Sequence, residues 1–409
     1  MNATKLLCNK CGWETELQNT YFCDICGYSL EVIYDFSELD KDEVADEFNN
    51  ARSVWDYKKF LPVEDDKNIV SLSEGNTPLI KSCRIGNSME IDLFFKDETR
   101  NPSSSFKDRP NSVAISVAKE MGIGEVTIAS TGNAGSSLSM YAARAGMPCM
   151  VFVPENTPQA KITQILSHGA KVIKVKGNYA DSYKVALDAS RKFNWANLTS
   201  TYLNPFTVEG DKTIAYEIYR QLEISVPDWI VVPLGAGAML SGIYKGFTEL
   251  KYFGLIDKLP RMMGVQAEGC SPIIRAYRNH DTDVVAFENP STIADAICDP
   301  LNGYAQDGSR TLNTIYRSSG AGIGVTDEEI SKSMLDLAKK EAIFCEPGSA
   351  TAMAAVEVAI NNGTIGNGET VICIITGHGL KTIEEINTLL PQENYKVIES
   401  DINELTNFF

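Results

Sequence analysis

The sequence predicts an α/β protein with largely parallel sheet, and three observations carry that expectation. Short apolar runs (IDLFF, VTIAS, CMVFV, KVIKV, WIVVPL, MMGVQA and VICIIT) recur from about residue 91 onward. They are apolar almost throughout rather than alternating, as strands covered on both faces are. Between them lie stretches with helical spacing, among them NAGSSLSMYAARAGM, QAKITQILSHG and DEEISKSMLDLAKKEA. Open sheets of this kind bind ligands at the carboxyl ends of their strands, so each strand-to-helix turn is a candidate site.

The 409 residues suggest two to three structural units. With 44% hydrophobic and 22% charged residues, the composition is globular rather than disordered. Thirty-seven basic against 54 acidic residues leave a net charge of −17, a field that repels phosphate backbones and anionic bilayers. Nucleic acid and membrane are therefore not expected partners. No run of eighteen apolar residues occurs, so no transmembrane helix is expected. The opening MNATKLLCNKCGWETEL has neither a long apolar stretch nor a small-residue cleavage site, and the expected location is the cytoplasm.

The first element is a cysteine cluster. Cys8, Cys11, Cys23 and Cys26 form two CxxCG knuckles separated by eleven residues. Each knuckle turns two thiolates toward one point, and a pair of knuckles completes a tetrahedral zinc site. Four thiolates leave no open coordination position, so the expected zinc is structural. Without a secretion signal, two disulfides are the poorer reading. The intervening WETELQNTYF suits a short hairpin. Residues 28–70 follow as an acidic linker helix with loops. The other six cysteines are scattered and are given no role.

Four turns carry chemistry. NPSSSFKDR places Lys107 in the first turn of a helix, where the macrodipole disfavours a cation and lowers its pKa, as Schiff-base chemistry requires. Ser130-Thr131-Gly132-Asn133, after VTIA, offers hydroxyls and N–H groups suited to a carboxylate. Gly235-Ala236-Gly237-Ala238-Met239, after WIVVPL, is an anion cradle at a helix start. Gly235, Gly237 and Gly242 are spaced by two and five, which departs from the dinucleotide fingerprint and fits a monophosphate better. Thr376, after VICII, can face a heterocycle nitrogen, with His378 as a loop residue lining a site.

In this order the motifs resemble the pyridoxal-phosphate enzymes of fold type II, the tryptophan synthase β-like superfamily. Within it the chain most resembles the threonine synthase family. The resemblance rests on SEGNTPL (73–79), KDE (96–98), NPSSSFKDR (101–109), ASTGNAG (129–135), NPFTVEGDKT (204–213), GAGAM with IYKGF, EPGSA (346–350) and TGHGLK (376–381). It spans about residues 70–385. It implies a fold of two α/β domains with the cofactor between them, plus a small N-terminal zinc ribbon. The corresponding layout is a ribbon over 1–34, a linker and the start of the large domain over 35–110, and a smaller domain over 111–203. The large domain resumes over 204–395 and a tail follows over 396–409. Implied roles are Lys107 as covalent anchor and proton carrier, Phe106 packing beneath the cofactor, and Asn133 bonding its ring hydroxyl. Gly235 to Met239 cradle its phosphate, and Thr376 faces its ring nitrogen. Ser130, Thr131, Gly132 and Asn133 take the amino-acid carboxylate.

The implied reaction turns O-phospho-L-homoserine and water into L-threonine and phosphate. The leaving phosphate needs a cation, and Lys96, Arg100, Lys161 and Lys212 are the candidates. The family frequently carries Arg and then Gln where this chain has Thr207 and Asp211, and Arg100 is the expected substitute for the missing guanidinium. NPSSS replaces NPTGS, and GAGAM replaces an Asn-containing loop. The alternatives within the superfamily are a serine/threonine dehydratase-like enzyme and a sulfur-amino-acid synthase acting on phosphoserine. Outside it they are a dinucleotide-dependent dehydrogenase and a non-catalytic ribbon protein. The expected partner is a small amino-acid substrate, and a homodimer is allowed.

Overall fold

The computed structural model describes residues 2–223, 225–390 and 397–400, together with 402 and 405. Three sheets organise them. The first is antiparallel, in the order β2-β1-β3, from β1 (Ala3–Cys8), β2 (Glu14–Thr15) and β3 (Leu30–Tyr34). The expected hairpin within WETELQNTYF is absent. Instead β2 pairs back onto β1, Leu6 opposite Thr15, so the Cys8–Cys11 knuckle is itself the hairpin turn.

The further strands are β4 (Leu79–Lys81), β5 (Asp92–Asp97), β6 (Val126–Ala129), β7 (Cys149–Pro154), β8 (Lys171–Val175), β9 (Ala196–Asn197), β10 (Trp229–Pro233), β11 (Arg261–Ala267), β12 (Ala321–Val325) and β13 (Thr370–Ile375). β12-β11-β10-β13-β5-β4 form a six-stranded sheet, parallel except for the edge strand β4. β8-β7-β6-β9 form a four-stranded parallel sheet.

The large sheet shows why its strands read as unbroken apolar runs. Ile230 and Val232 of β10 enter one core, with Ile243 and Phe247 of the helix Ala238–Tyr252. Their neighbours Trp229 and Val231 enter the opposite core, with Met353 and Val356 of the helix Pro347–Asn361. A strand has a period of two, so two buried faces require apolar residues at every position. The small sheet packs Val126, Ile128, Val151 and Val153 against the helices Asp108–Glu120 and Asn133–Ala145. Leu6, Leu30 and Val32 of the cysteine-bearing sheet join that core. Among the described residues no helix is long and apolar enough to cross a membrane.

Candidate active site and cysteine cluster

The carboxyl ends of β6, β7, β10 and β13, with the Phe106–Lys107 segment that follows β5, converge on one cavity of about 280 Å³. It is lined by Phe106, Lys107, Ser130 to Asn133, Gly235 to Met239 and Thr376, so the four sequence turns meet in space. The strand ends fix the anchor segment directly. Phe106 N–H donates to Thr376 O at 3.0 Å, and Ser105 pairs with Gly377 as an isolated bridge.

Lys107 is the N-cap residue of the helix Asp108–Glu120. Its Nζ donates to Ser200 Oγ at 2.8 Å and lies 4.3 Å from the centroid of the Phe106 ring. Burial pushes its pKa down to about 8, against the opposing pull of Asp211, Asp299 and Glu346. Desolvation leads this shift, rather than the helix dipole invoked from the sequence.

The cradle is built by occupying the outward carbonyls of its turn. Gln266 Nε2 donates to Gly235 O at 3.3 Å, Thr311 Oγ1 to Ala236 O at 2.5 Å, and Tyr202 OH to Gly237 O at 3.1 Å. The first intrahelical bond runs from Ser241 N to Gly237 O. The N–H groups of the turn precede it, which leaves them for an anion. Gly237 has φ of 93°, and a Cβ there would stand 2.3 Å from Thr311 Cγ2. The turn therefore depends on a residue without a side chain.

At the facing wall, Ser130 Oγ accepts the Gly132 and Gly135 N–H groups at 3.3 and 3.1 Å. Asn133 Nδ2 donates to both Glu346 carboxylate oxygens at 3.0 and 3.1 Å. Thr376 Oγ1 lies 2.8 Å from Ser349 Oγ, which also accepts the Thr376 and Gly377 N–H groups. Glu346 and Ser349 belong to the EPGSA motif, but no local pattern marked them as parts of the site.

The cations expected for a leaving phosphate are not gathered here. Lys96 is fully buried, with its Nζ bonded to Thr77 O, Glu217 and Gln221. Glu217 is shared with the buried Arg109, which also pairs with Glu98, so this is a closed ion cluster behind the site. Lys212 is fully buried between Glu209 and Glu249 and over the Tyr34 ring. Arg100 is exposed and does not line the cavity. Lys161 alone reaches the cavity's edge, through an ion pair of 2.6 Å with the lining residue Asp295. His378 is a backbone cap, its Nδ1 accepting the Leu380 N–H, and is not a lining residue. Lys381 Nζ, buried near Glu346 and Asp108, has no hydrogen-bond partner among the described residues and was not singled out from sequence.

The cavity instead carries Asp211, Asp295, Asp299 and Glu346 around one lysine. Burial raises the pKa of Asp299 and Glu346 above the carboxylate range and that of Asp211 to about 7.

In the cysteine-bearing sheet the four Sγ atoms of Cys8, Cys11, Cys23 and Cys26 lie within 4.8 Å of one another. Cys8 and Cys26 are 3.5 Å apart, and Cys11 and Cys23 3.4 Å. Four sulfurs on a tetrahedral zinc at about 2.3 Å stand about 3.8 Å apart, so the cluster has the dimensions of such a centre.

The family model for pyridoxal-phosphate dependent enzymes matches residues 70–377. The chain is 41% identical over 404 residues to a threonine synthase of Methanocaldococcus jannaschii, covering 97% of each chain. It is 40% identical to a threonine synthase of Methanosarcina acetivorans, covering 92% of each. Among solved structures it is similar to the processed form of threonine deaminase isoform 2 from Solanum lycopersicum, with a TM-score of 0.66 and 19% identity. That match covers 87% of this chain and 95% of the other and is a likeness of fold.

Proposed function

This chain belongs to the pyridoxal-phosphate dependent enzymes and, among them, to the threonine synthases, and we propose that it converts O-phospho-L-homoserine and water to L-threonine and phosphate. The observation that carries the reading is the convergence of Lys107, the Gly235–Met239 cradle and Thr376 in one cavity, in a chain that matches its relatives nearly end to end.

The residues present fit pyridoxal phosphate. Gly235 to Met239 would offer N–H groups at a helix start to its phosphate, Lys107 would supply the anchoring amine, and Thr376 would offer a neutral hydroxyl to its ring nitrogen, all three lining the cavity. When bound there, the cofactor supplies an electron sink for the charge left when a C–H bond beside the substrate's amino group breaks. Lys107 Nζ holds and returns the protons. With its pKa near 8 it changes protonation within about one unit of neutrality, where a proton carrier works best. Phe106 lies under that amine and excludes water from one side. Ser130 to Asn133 receive the substrate carboxylate, with the Asn133 amide held in place by Glu346.

The acidic lining favours a second reading, a serine/threonine dehydratase-like reaction on a substrate without phosphate. Product analysis with O-phosphohomoserine, phosphoserine, threonine and serine as separate substrates decides between them. Threonine and phosphate from the first compound support the synthase, whereas a keto acid and ammonia from serine or threonine replace it.

The proposal extends to a structural zinc on Cys8, Cys11, Cys23 and Cys26. The proposed compartment is the cytoplasm, where the four cysteines stay reduced and can serve as metal ligands. The proposed assembly is a homodimer, to be read by sedimentation.

A further inference from the structure

The reading as a threonine synthase requires a dianionic leaving group in a cavity whose only lining cation among the described residues is Lys107. One lining residue is placed to resolve this. Asp211 ends the helix Pro205–Asp211, one turn beyond Thr207, and both line the cavity. Its side chain is 2% exposed and has no ion pair among the described residues, and Oδ1 has no hydrogen-bond partner. A charged carboxylate left that way is among the costliest arrangements in a protein interior, whereas a neutral acid has an O–H to donate. The helix Ala238–Tyr252, whose start forms the cradle, packs its Gly242 against the Asp211 Cβ.

The charges around Asp211 do not pair with it. Lys107 and Arg109 attract its charge and Glu98 repels it, but Arg109 is spent on Glu98 and Glu217. On the facing helix, Lys245 and Glu249 are engaged with Glu209 and Lys212. Across the cavity, Asp299 accepts from Tyr304 OH.

We propose that Asp211 meets the substrate's phosphate as a neutral carboxylic acid, donating its Oδ1 proton as a hydrogen bond, so that a dianion entering the loaded enzyme takes up one proton at this residue. The proton comes from solvent or buffer and forms the Oδ1–H bond; no other covalent bond changes. This rests on the phosphate-eliminating reading and specifies how that site recognises its substrate without a guanidinium.

The test uses the holoenzyme and inorganic sulfate, a dianion that does not itself titrate near neutrality. Calorimetry in two buffers of different ionisation heat counts protons taken up per sulfate. A group titrating near pH 7 is about nine-tenths ionised at pH 8, so uptake should approach one proton there and fall to about a tenth at pH 6. Sulfate affinity should drop about tenfold per pH unit above 7. Asp211→Asn keeps a donor and removes the titration, so it should bind sulfate with flat pH dependence and no uptake. Asp211→Gln serves if the asparagine variant folds poorly.

Equal uptake in the variants, no uptake in the wild type, or no sulfate binding overturns the inference. Titrating pyridoxal phosphate into the stripped protein separates the two phosphate sources. Uptake at that step with none at the sulfate step also overturns it. Phosphate release from O-phosphohomoserine by the wild type is measured separately, so failure of the reaction reading is distinguishable from failure of this inference.

Discussion

Gly237→Ala perturbs the cradle at one atom, and its cost can be worked out from the surroundings. The backbone there has φ of 93°, a conformation that costs an L-residue about 1 kcal/mol or more. The added Cβ would lie 2.3 Å from Thr311 Cγ2 and 2.4 Å from its Oγ1. Thr311 cannot swing away freely, because its Oγ1 holds Ala236 O. Overpacking of this kind costs about 1–3 kcal/mol, giving a total of about 2–4 kcal/mol. An entropy of unfolding of about 2 cal/mol/K per residue over the chain converts that to a fall in Tm of about 3 °C. The local effect should be larger. Displacing one N–H from a phosphate loses a charge-assisted hydrogen bond of about 1.5–3 kcal/mol, or about ten- to hundred-fold in cofactor affinity. The assay is fluorescence titration of pyridoxal phosphate into the stripped protein, beside thermal unfolding. Gly235→Ala is the control, since its Cβ would meet Asp299 Cβ at an ordinary 3.5 Å. Adding Thr311→Ala to Gly237→Ala should recover part of the loss, as coupled neighbours do. If Gly237→Ala bound the cofactor as tightly as wild type, or Gly235→Ala lost as much, the cradle would have been misplaced.

Three further outcomes follow from the same geometry. The stripped protein should capture pyridoxal phosphate on Lys107 at a rate that rises with pH and levels off above about 8, because the amine attacks only when deprotonated and burial lowers its pKa; a rate still climbing toward pH 10 contradicts this. Lys96→Met should destabilise the fold by about 3 kcal/mol by breaking the buried Glu217 cluster, with substrate KM unchanged, and Arg100→Ala should change neither; a rise in KM for either would return them to the site. Metal analysis should find about one zinc per chain, with Cys11→Ser losing it while the cofactor chromophore persists; four freely reacting thiols in the native protein would refute the centre.

What the sequence disclosed follows from the range of the interactions. β10 and β13 were legible because two buried faces write an unbroken apolar run. β12, AGIGV, was not, because glycines replace the expected bulk. At Gly322 a Cβ would press to 2.8 Å from the Tyr277 ring, a contact invisible from the run itself. Three of the site turns were legible because they carry their chemistry within a few residues of a strand end, and the Lys107 segment, well past the end of β5, because its lysine opens a helix. The fate of the lysines was not. Lys96 is neutralised by Glu217, 121 positions away, and Asn133 is oriented by Glu346, 213 positions away. Charge partners at that distance depend on topology alone, so a lysine beside a motif reads as available when the fold has already used it.

The cysteine-bearing sheet joins this picture by where its bonds go. Tyr21 OH accepts the Asn197 N–H of β9 at 2.8 Å, reaching the small sheet. On the other side, Arg310 Nη1 donates to Ser29 Oγ and Leu30 O, and Lys245 Nζ to Val32 O at 2.6 Å. Arg310 adjoins Thr311, the residue that fixes the Ala236 carbonyl of the cradle. The cysteine-bearing sheet thus grips the small sheet and two helices, Ala238–Tyr252 and Ala305–Arg317, that shape the site. The second helix, Ala305–Arg317, is also seated by Leu312 and Ile315 in the core of the large sheet. Burying two such side chains contributes about 3–6 kcal/mol, more than the two part-buried hydrogen bonds by which Arg310 holds the cysteine-bearing sheet, at about 1 kcal/mol each. Loss of the proposed metal should therefore loosen these contacts of the cysteine-bearing sheet before it loosens the cradle, which is why the cofactor is expected to outlast a zinc bound there.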